Sequence, residues 1–400
     1  RVNPREVRGK IVGGGVVVKP RLFGLMVLPG KKTTLMQTTM ISKAINQRFN
    51  YMDRGAKKGV ADPKDDDYID LKLDPRYRGN LSRYFSVMLH VAIGESDSER
   101  EERLRKLRSM LMEPTSAMSA AMQLEAIGAR GIEILIEGLE SPDLQVRFLA
   151  AEALAYQDKH LAVPVLKEAA ETESAFRWHA LAALSSITHV SALDALDSLL
   201  HVSSAETRYG AFRAQKKRAD NSPVFNAEKL GENGQFVLHT IPSNGEPMVH
   251  YTRSREPEIV LFGDPIELRI PEFLDCGREI LIKGSEDGTQ IKVCRFQPGQ
   301  ETRVEYCAPR VKDFIHALAN VGLSYGRIIQ LLDQTKREDL LVARLVADAT
   351  PRPSRSYGQD SEDSEEVTAP PPTNLMPLPD LFHVRPAVRV RTSDEDVDSP

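Results

Sequence analysis

The sequence is poor in cysteine, tryptophan and aromatic side chains. Its 400 residues include three cysteines and one tryptophan, and aromatic residues make up 6% of the chain. The cysteines are Cys276, Cys294 and Cys307, and their spacing fits no zinc-binding pattern. The sequence leaves two alternatives open for them, ordinary thiols or one structural disulfide, because a disulfide needs both an oxidising compartment and suitable geometry.

Long apolar runs and an excess of charge of one sign are also missing. No stretch approaches the roughly 18 uninterrupted apolar residues of a transmembrane helix, so no membrane span is expected. The formal net charge is −4. Such a balance gives no support to a nucleic-acid partner, and we expect none.

The C-terminal fifty residues differ from the rest in composition. Residues 351–400 carry ten Asp and Glu against five Arg, and they contain nine of the 25 prolines. A segment of this kind cannot bury enough apolar surface to offset its conformational entropy. We therefore expect residues 351–400 to be a disordered acidic and proline-rich tail.

Motifs for catalysis and cofactor binding are missing as well. Leu28–Thr34 (LPGKKTT) precedes a helical pattern, but Pro29 stands where a phosphate-binding loop needs a glycine. Gly13–Gly15 is followed by VVVKP and not by a helix, so it is no dinucleotide fingerprint. His179, beside Trp178, is interpreted as a packed or surface histidine. We expect no catalytic, cofactor-binding or metal site, no cofactor and no enzymatic activity.

The sequence does contain a ladder of near-repeats with a period of about 30 residues, which is typical of a solenoid of stacked helix pairs. Arg147, Arg177 and Arg208 take equivalent places in three units, and Ala120 marks a weaker unit before them. The units are VRFLAAEALA (Val146–Ala155), FRWHALAALS (Phe176–Ser185) and TRYGAFRAQ (Thr207–Gln215). First helices are predicted at Ile132–Leu139, Ala162–Ala170 and Ala192–Leu200.

The repeated arginines have acids shortly before or beside them. The acids are Asp143, Glu173 and Glu206. Two interpretations stay open. In the structural one, the arginines form ion pairs and hydrogen bonds between layers, each worth little where it is exposed. In the functional one, they form a basic stripe for a partner.

The segments before the ladder mix both kinds of pattern. Residues 11–28 carry β-branched runs on either side of three glycines, which predicts strands broken by a turn or bulge. Thr33–Phe49 has the spacing of an amphipathic helix, and Tyr68–Pro75 alternates like a half-buried strand. Leu81–Ile93 fits either a helix or a buried strand. Ser96–Arg108 is a charged helical lead-in to the ladder.

After Pro223 the pattern returns to short alternating runs, and then to helices. Residues 311–348 read as three successive helical segments, with Gly322 ending the first and Ser324 able to cap the second. Strands are predicted at Pro257–Gly263, Pro265–Pro271, Glu279–Gly284 and Thr289–Phe296.

The ladder resembles HEAT repeats of the short type also found in proteins related to phycobilisome lyases. The similarity is one of pattern: an acid, then Val or Phe with Arg, then an Ala-rich helix. It identifies an architecture and not an activity. A bilin-lyase-like enzyme is the weakest alternative, because it needs a cysteine or acid on the solenoid face and the solenoid contains no cysteine.

The flanking segments resemble flagellar P-ring proteins, in a divergent, planctomycete-like form. Phe314–Asp348 is similar to the C-terminal end of that family. Ala317–Gly322 corresponds to its Ala-Leu-Asn-x-Leu-Gly-like turn, and Arg327–Leu332 corresponds to its Leu-Ile-x-Ile-Leu-Gln helix. Thr38–Phe49 resembles its Ala-x-x-Ile-Ala-x-Ala-Ile-Asn-x-x-Phe helix, and Gly59–Pro75 its following strand. About half of the chain is covered, in the right order.

The resemblance implies an α+β fold: a P-ring-like α/β body split in sequence by an all-α HEAT-type solenoid. The expected domains are 1–95, the first part of this body; 96–222, the helical insertion; 223–350, the β-rich second part with C-terminal helices; and 351–400, the disordered tail. The two parts of the body are expected to fold back onto each other.

The implied function is structural. P-ring proteins assemble around the rod of the flagellar basal body in the periplasm and support motility. The resemblance thus implies self-association into a ring, rod and L-ring proteins as partners, and a periplasmic location. Because the chain opens at Arg1, we expect a processed product or a fragment with no signal peptide visible. The alternative function is a HEAT-repeat scaffold or adaptor that binds a protein partner without forming a ring.

Overall fold

The protein is described by a computed structural model. It describes residues 22–28, 34–218, 226–254, 256–263, 265–353 and Tyr357. These residues form an N-terminal module, a central array of helix pairs and a C-terminal module. The expectations for the glycines at 13–15 and for most of the phosphate-loop-like segment lie outside the described residues.

The N-terminal module combines a small antiparallel sheet with two helices. β5 lies in the middle of the sheet, between β1 and β4. A second hairpin, β2–β3, turns at Arg54 and Gly55, both with positive φ, as a two-residue hairpin loop of right-handed twist requires. The elements are β1 (Phe23–Met26), α1 (Leu35–Arg48), β2 (Asn50–Asp53), β3 (Ala56–Gly59), β4 (Ala61–Pro63), β5 (Tyr68–Leu71) and α2 (Leu81–Leu89).

Three of the sequence predictions for this module are settled. The helix predicted at Thr33–Phe49 and the strand predicted at Tyr68–Pro75 are confirmed as α1 and β5, with shorter bounds. In the segment Leu81–Ile93, residues Leu81–Leu89 form the helix α2 and not a strand. Its start is fixed by Asn80, whose side-chain oxygen accepts a hydrogen bond from the Arg83 backbone N–H at 3.0 Å.

The central array consists of four antiparallel helix pairs. The first helices of the pairs form one row and the second helices form another, which we call the first-helix row and the second-helix row. The pairs are α3 (Asp97–Met112) with α4 (Pro114–Ile127), α5 (Ile132–Leu139) with α6 (Leu144–Ala155), α7 (Val163–Thr172) with α8 (Ser174–Ser186), and α9 (Val190–Leu199) with α10 (Ala205–Arg218). The predicted solenoid, including its weak first unit, is confirmed.

Small residues allow the helices of the array to approach closely. A Cβ added to Gly138 of α5 would lie 2.8 Å from the Cβ of Ala150 in α6. The second helices are lined with buried alanines, among them Ala120, Ala150 and Ala180 at a spacing of 30 residues. Because their side chains are short, successive second helices pack directly on one another. This explains the alanine-rich ladder seen in the sequence.

The C-terminal module is built on a mixed five-stranded sheet and a four-stranded antiparallel meander. The order in the first sheet is β14-β8-β9-β7-β6, with β14 parallel to β8 and β7 parallel to β9. The elements are β6 (Asn226–Leu230), β7 (Phe236–Ile241), β8 (Met248–Tyr251), β9 (Glu258–Phe262), β10 (Leu274–Asp275), β11 (Ile280–Gly284), β12 (Ile291–Arg295), β13 (Arg303–Cys307), α11 (Val311–Asn320), α12 (Tyr325–Arg337) and β14 (Arg344–Ala347).

The five-stranded sheet is buried on both faces. In β9, Val260 and Phe262 belong to the core shared with the helical array, whereas Ile259 and Leu261 belong to the core formed with α11, α12 and the meander. This alternation follows from the two-residue period of a strand. The sheet is therefore a layer between the end of the array and the rest of the module.

Two expectations about the β-rich region need correction. Residues 265–271 do not form a strand; Glu267 and Leu268 make isolated bridges only. The third helical segment expected before Asp348 is the strand β14. The chain leaves α12 at Asp339, whose φ is 53°, and β14 then adds an edge to the sheet. The apolar side chains of β14 pack into two different cores, because the strand lies between two layers.

The structure does not confirm the single α/β body expected from the two flanking segments. The buried residues of the N-terminal module, such as Phe49 and Tyr84, share one core with the array. Those of the meander and of α11 and α12 form a different core. Each flanking segment is therefore packed on the helical array. The physical reason is that the array presents apolar surface to both flanking segments.

Candidate functional site

The arginine repeated in each unit donates hydrogen bonds to backbone carbonyls at or just after the end of a first helix. Nη1 of Arg147 donates to the carbonyls of Ser141 and Pro142 at 3.1 and 3.0 Å. Nε of Arg177 donates to the carbonyl of Ala170 at 3.1 Å. The last carbonyls of a helix have no partner within the helix. Arg177 supplies that partner to α7 from the adjacent second helix, and Arg147 satisfies carbonyls of the turn that follows α5.

The acids near these arginines cap helices or connect layers. Asp143 and Glu173 accept backbone N–H hydrogen bonds in the first turns of α6 and α8, at 3.0 Å each. Glu206 forms an ion pair with Arg177 at 3.1 Å, joining α8 to α10. The structural interpretation of the repeat arginines is confirmed, and they do not form an exposed basic stripe.

Arg208 is the most deeply buried of the three, with 1% of its surface exposed. It donates to the carbonyls of Leu200 and Glu246 at 3.1 and 2.7 Å, and to Oγ of Ser243 at 3.0 Å. Its guanidinium lies over the ring of Phe262, 4.9 Å from the centroid. Burial lowers the pKa of Arg208 to about 10, which leaves it charged at neutral pH. This arginine ties the array to the C-terminal module.

A buried polar cluster joins the N-terminal module to the second-helix row. Arg83 of α2 donates from Nε and Nη2 to Oε2 of Glu125 in α4, at 3.0 and 2.6 Å. Its Nη1 lies 2.5 Å from Oε2 of Glu152 in α6. The Tyr77 hydroxyl donates to Glu125 Oε1 at 2.5 Å, and the Tyr77 ring stacks on Tyr156. The cluster spans three segments far apart in sequence.

One guanidinium serves two carboxylates in this cluster, and their pKa values move in opposite directions. Burial raises the pKa of Glu125, and Arg83 only partly offsets that effect. Burial opposes the charge of Glu152 too, but Arg83 and His179 outweigh it, so the pKa of Glu152 lies below its ordinary value. Both carboxylates are engaged by the same cation. The cluster is consequently suited to hold two modules together.

The residues after β14 lie on the second-helix row. We call residues 348–353 together with Tyr357 the strap. Ala349 and Pro351 are buried. Part of the segment expected as a disordered tail, residues 351–353 and Tyr357, is thus packed on the array. The buried Pro351 and the ring of Tyr357 hold it there, because both contact the second helices. The remainder of that predicted tail lies outside the described residues.

The start of the strap is anchored on the C-terminal sheet. The carboxylate of Asp348 accepts hydrogen bonds from the backbone N–H and the Nε of Arg253, at 2.7 and 2.8 Å. Nε2 of His250 accepts the backbone N–H of Ala349 at 3.0 Å. The His250 ring stacks on the ring of Tyr209 in α10, with 3.7 Å between the ring centroids. His250 therefore connects the sheet, the strap and the array.

The far end of the strap crosses two second helices. Pro351 packs against Gly210 of α10, where an added Cβ would lie 2.8 Å from the proline ring. Nε2 of His179 in α8 lies 3.4 Å from the carbonyl oxygen of Pro353. The Tyr357 ring stacks on Phe176 at 4.7 Å between centroids. These contacts define a shallow binding surface on α8 and α10.

The interface between α10 and the C-terminal sheet contains a second polar cluster. Glu258 accepts a hydrogen bond from the Tyr209 hydroxyl at 2.5 Å and one from Lys216 at 2.8 Å. His239 lies 3.5 Å from the same carboxylate. Burial opposes the charge of Glu258, but these three partners outweigh it and lower its pKa to about 2. The charged carboxylate stabilises this interface.

The N-terminal module also contains an apolar groove. The groove has a volume of about 200 Å³ and apolar walls that include Met26, Ile41 and Met88. In the residues that the structure covers, no group of His, Cys, Asp and Glu is arranged to hold a metal. None of the described helices is long and apolar enough to span a bilayer.

The three cysteines are free and buried. Of the two alternatives open from the sequence, ordinary thiols are therefore what the structure shows. Burial raises the pKa of the Cys307 thiol to about 12, with the nearby carboxylates of Asp313 and Glu305 adding to the effect. A thiol of this kind is a poor nucleophile at neutral pH.

Comparison with known families agrees with the architecture of the array. A family model of HEAT repeats matches residues 132–215, from the start of α5 into α10. No curated protein matches the chain. This part of the protein is accordingly similar to HEAT repeats, a class built of stacked helix pairs.

Sequence reasoning missed the residues that join the three parts. Arg83, Glu125 and Glu152 are separated by 42 and 27 residues, so no local motif marks them. His179 was expected to be a packed or surface residue. It is partly exposed and contacts Glu152 and the strap. One usable signal was Arg83 as the one charged residue of α2, because a charged residue on a buried face needs a partner.

Proposed function

We propose that the chain is a HEAT-repeat scaffold that binds a protein partner through its helical array. The observation that carries this proposal is the second-helix row, which already binds two separate segments of polypeptide, the N-terminal module and the strap. Both are held by aromatic stacking and by polar side chains of α4, α6 and α8. A surface with these properties suits recognition of another polypeptide.

The chemistry of the polar clusters supports binding over catalysis. Glu125 and Glu152 are both engaged by Arg83, and Glu258 is engaged by Lys216 and Tyr209. Carboxylates bound in this way are poor general bases, because their charge is already neutralised by a partner. On this basis, we propose that the protein has no enzymatic activity.

A photo-crosslinking experiment tests the proposal. Met118 of α4 is 52% exposed and stands one repeat before Phe148 and two before Trp178. A photoreactive amino acid at this position is expected to capture a partner protein in extracts of the source cells. The matched control is the same amino acid at Val190 of α9, which is 60% exposed and starts a helix of the first-helix row.

A captured protein supports the proposal only if the purified pair then forms a complex of fixed stoichiometry in light scattering. Capture at Val190 and Met118 alike indicates non-specific adhesion and contradicts it. So does a pair that shows no complex after purification.

A ring-forming structural subunit similar to flagellar P-ring proteins is the second candidate. The observation in its favour, besides the sequence resemblance, is the exposed strand β13 at the edge of the meander. Val304 and Tyr306 on this strand are 43% and 52% exposed. In the described residues no strand pairs with the outer edge of β13, and such an edge can pair with a strand of a neighbouring subunit. On this proposal, the partners are copies of the chain and the rod and L-ring proteins of a periplasmic basal body.

Light scattering over a range of protein concentrations separates the two candidates. A ring subunit gives one discrete high-mass species, and the double variant Val304→Lys/Tyr306→Lys reduces it to monomers. A scaffold gives a monomer at all concentrations, whether or not these two residues are changed.

A further inference from the structure

The strap follows the second-helix row without forming a strand or helix of its own. Residues 348–352 have no regular secondary structure and are followed by a turn at Pro353. The segment includes two prolines, Pro351 and Pro353. Proline fixes φ and removes a backbone donor, so such a segment loses little entropy when it is bound in an extended form.

The surface beneath the strap recognises few features of its sequence. It contacts one proline ring through Gly210, one backbone carbonyl through His179 and one aromatic ring through Phe176. Phe176 is itself stacked on Phe148 of α6, at 4.2 Å between centroids, which fixes the orientation of its ring. These features can be supplied by any extended segment with a proline followed at some distance by an aromatic residue.

The two ends of the strap are held unequally. The start has two hydrogen bonds from Arg253 to Asp348 and one from the Ala349 backbone N–H to His250. At the far end, Pro353 is exposed and Tyr357 is 40% exposed. Among the described residues of this end, the polar contact is one 3.4 Å pair between the Pro353 carbonyl oxygen and Nε2 of His179. The far end can therefore leave the surface while the start stays anchored.

We propose that the surface formed by Phe176, His179 and Gly210 is the partner-binding site of the scaffold, and that the strap is its internal competitor. The partner presents an extended segment with a proline and an aromatic residue, which displaces the far end of the strap. This inference rests on the proposed scaffold function and names its site. Because the strap is tethered, its effective concentration is on the order of millimolar, and a partner must overcome that competition.

A labelled peptide with the sequence of residues 348–357 tests the competition in fluorescence anisotropy. The full chain is compared with its double variant Pro351→Ala/Tyr357→Ala, in which the internal competitor is weakened. We expect the peptide to bind the variant at least about 10-fold more tightly than the unchanged chain, which corresponds to roughly 1.4 kcal/mol.

Two further variants identify the surface. Phe176→Ala, added to the double variant, removes the ring that Tyr357 stacks on and is expected to weaken peptide binding about 10-fold or more. Leu193→Ala on α9, 41% exposed in the first-helix row, is the matched control and leaves binding unchanged. Equal loss in both variants contradicts the assignment of the site.

The proposal is overturned if the double variant keeps its thermal unfolding midpoint and yet binds the peptide no more tightly. If the double variant does not fold, hydrogen exchange on the unchanged chain decides instead. Excess peptide must then speed the exchange of the strap amides, and unaltered exchange overturns the proposal. A dimer that grows with protein concentration shows that a second copy supplies the segment, and this also overturns it.

The two proposals fail in different ways. If Met118 captures a partner but the peptide does not bind, the scaffold function stands and this site is wrong. If the peptide binds and competes but no partner forms a complex, the surface is a strap site only, and the scaffold function fails.

Discussion

Arg83 and Glu125 are 42 residues apart and form two hydrogen bonds, from Nε and Nη2 of the arginine to Oε2 of the carboxylate, at 3.0 and 2.6 Å. The side chain of Arg83 is 5% exposed and that of Glu125 is fully buried. The pair links α2 of the N-terminal module to α4 of the array. The module is consequently held by a buried charged contact.

Replacing Arg83 by methionine tests how much this contact contributes. The variant keeps most of the side-chain volume but leaves Glu125 and Glu152 buried without their cation. We expect the free energy of unfolding to fall by about 3–5 kcal/mol, because the uncompensated charges must be neutralised or exposed. Urea denaturation followed by circular dichroism measures the change.

An exposed ion pair provides the control for that experiment. Arg108 and Glu137 pair at 2.9 Å between α3 and α5, with about half of each side chain exposed. Arg108→Met should cost no more than about 1 kcal/mol. A similar loss in both variants contradicts the special role of the buried cluster.

Arg208 is predicted to be the most sensitive of the repeat arginines. Arg208→Lys retains the charge but cannot reach its three acceptors, Leu200, Ser243 and Glu246, with one ammonium group. We expect a loss of about 2–4 kcal/mol, on the scale of the cost of leaving buried polar groups unsatisfied. Arg147→Lys, at the equivalent but more exposed place, should cost less than half as much. The order is checked by thermal unfolding.

The stability of the protein should fall in mild acid because of His250. Burial lowers its pKa to about 4 in the folded chain. Attraction from the carboxylates of Glu258 and Asp348 opposes this shift, and repulsion from Arg213 adds to it. Its ordinary pKa is 6.5, so between these values the unfolded chain binds the extra proton. The stabilising contribution is complete above pH 6.5 and decreases as the pH falls toward 4. From pH 6.5 to 5 the loss is about 2 kcal/mol.

His250→Gln separates this effect from the other titrating groups. The glutamine amide oxygen can accept the Ala349 backbone N–H in place of the imidazole nitrogen, but it does not titrate. Thermal unfolding midpoints of both proteins are measured from pH 7 to pH 5, and the variant should show the shallower dependence. Parallel curves contradict the assignment to His250.

The cysteines should react slowly in the folded state. Cys276, Cys294 and Cys307 are buried and free, and burial raises the pKa of Cys307 to about 12. We expect a thiol reagent to modify them slowly in buffer. In denaturant, we expect it to modify three thiols per chain rapidly. Fewer than three thiols in denaturant without reductant indicates a disulfide and contradicts the structure.

The local fold was readable from the sequence wherever one periodicity dominated. Val146, Phe176 and Thr207 start near-repeats that became α6, α8 and α10, since apolar residues at helical spacing have one way to be buried. The strand at Arg344–Ala347 was mistaken for helix, because a short apolar run fits both and only its place between two layers decides.

The arrangement of the modules could not be read in the same way. The contacts that set it are between residues such as Arg83 and Glu152, or Tyr357 and Phe176, which lie 69 and 181 residues apart. No propensity or spacing rule connects positions at such distances. The strap was likewise hidden, because its prolines suggested only a lack of regular structure.

A stack of helix pairs has no natural end, since each added pair offers the same surface to the next. In this protein, Phe262 and Val260 of β9 cover α10 from the side where a fifth pair would stack. The length of the array is thus set by a sheet from the same chain. We infer that the C-terminal half of the array and the sheet unfold together. The array cannot fray from this end without exposing the apolar surfaces of α10 and of the sheet.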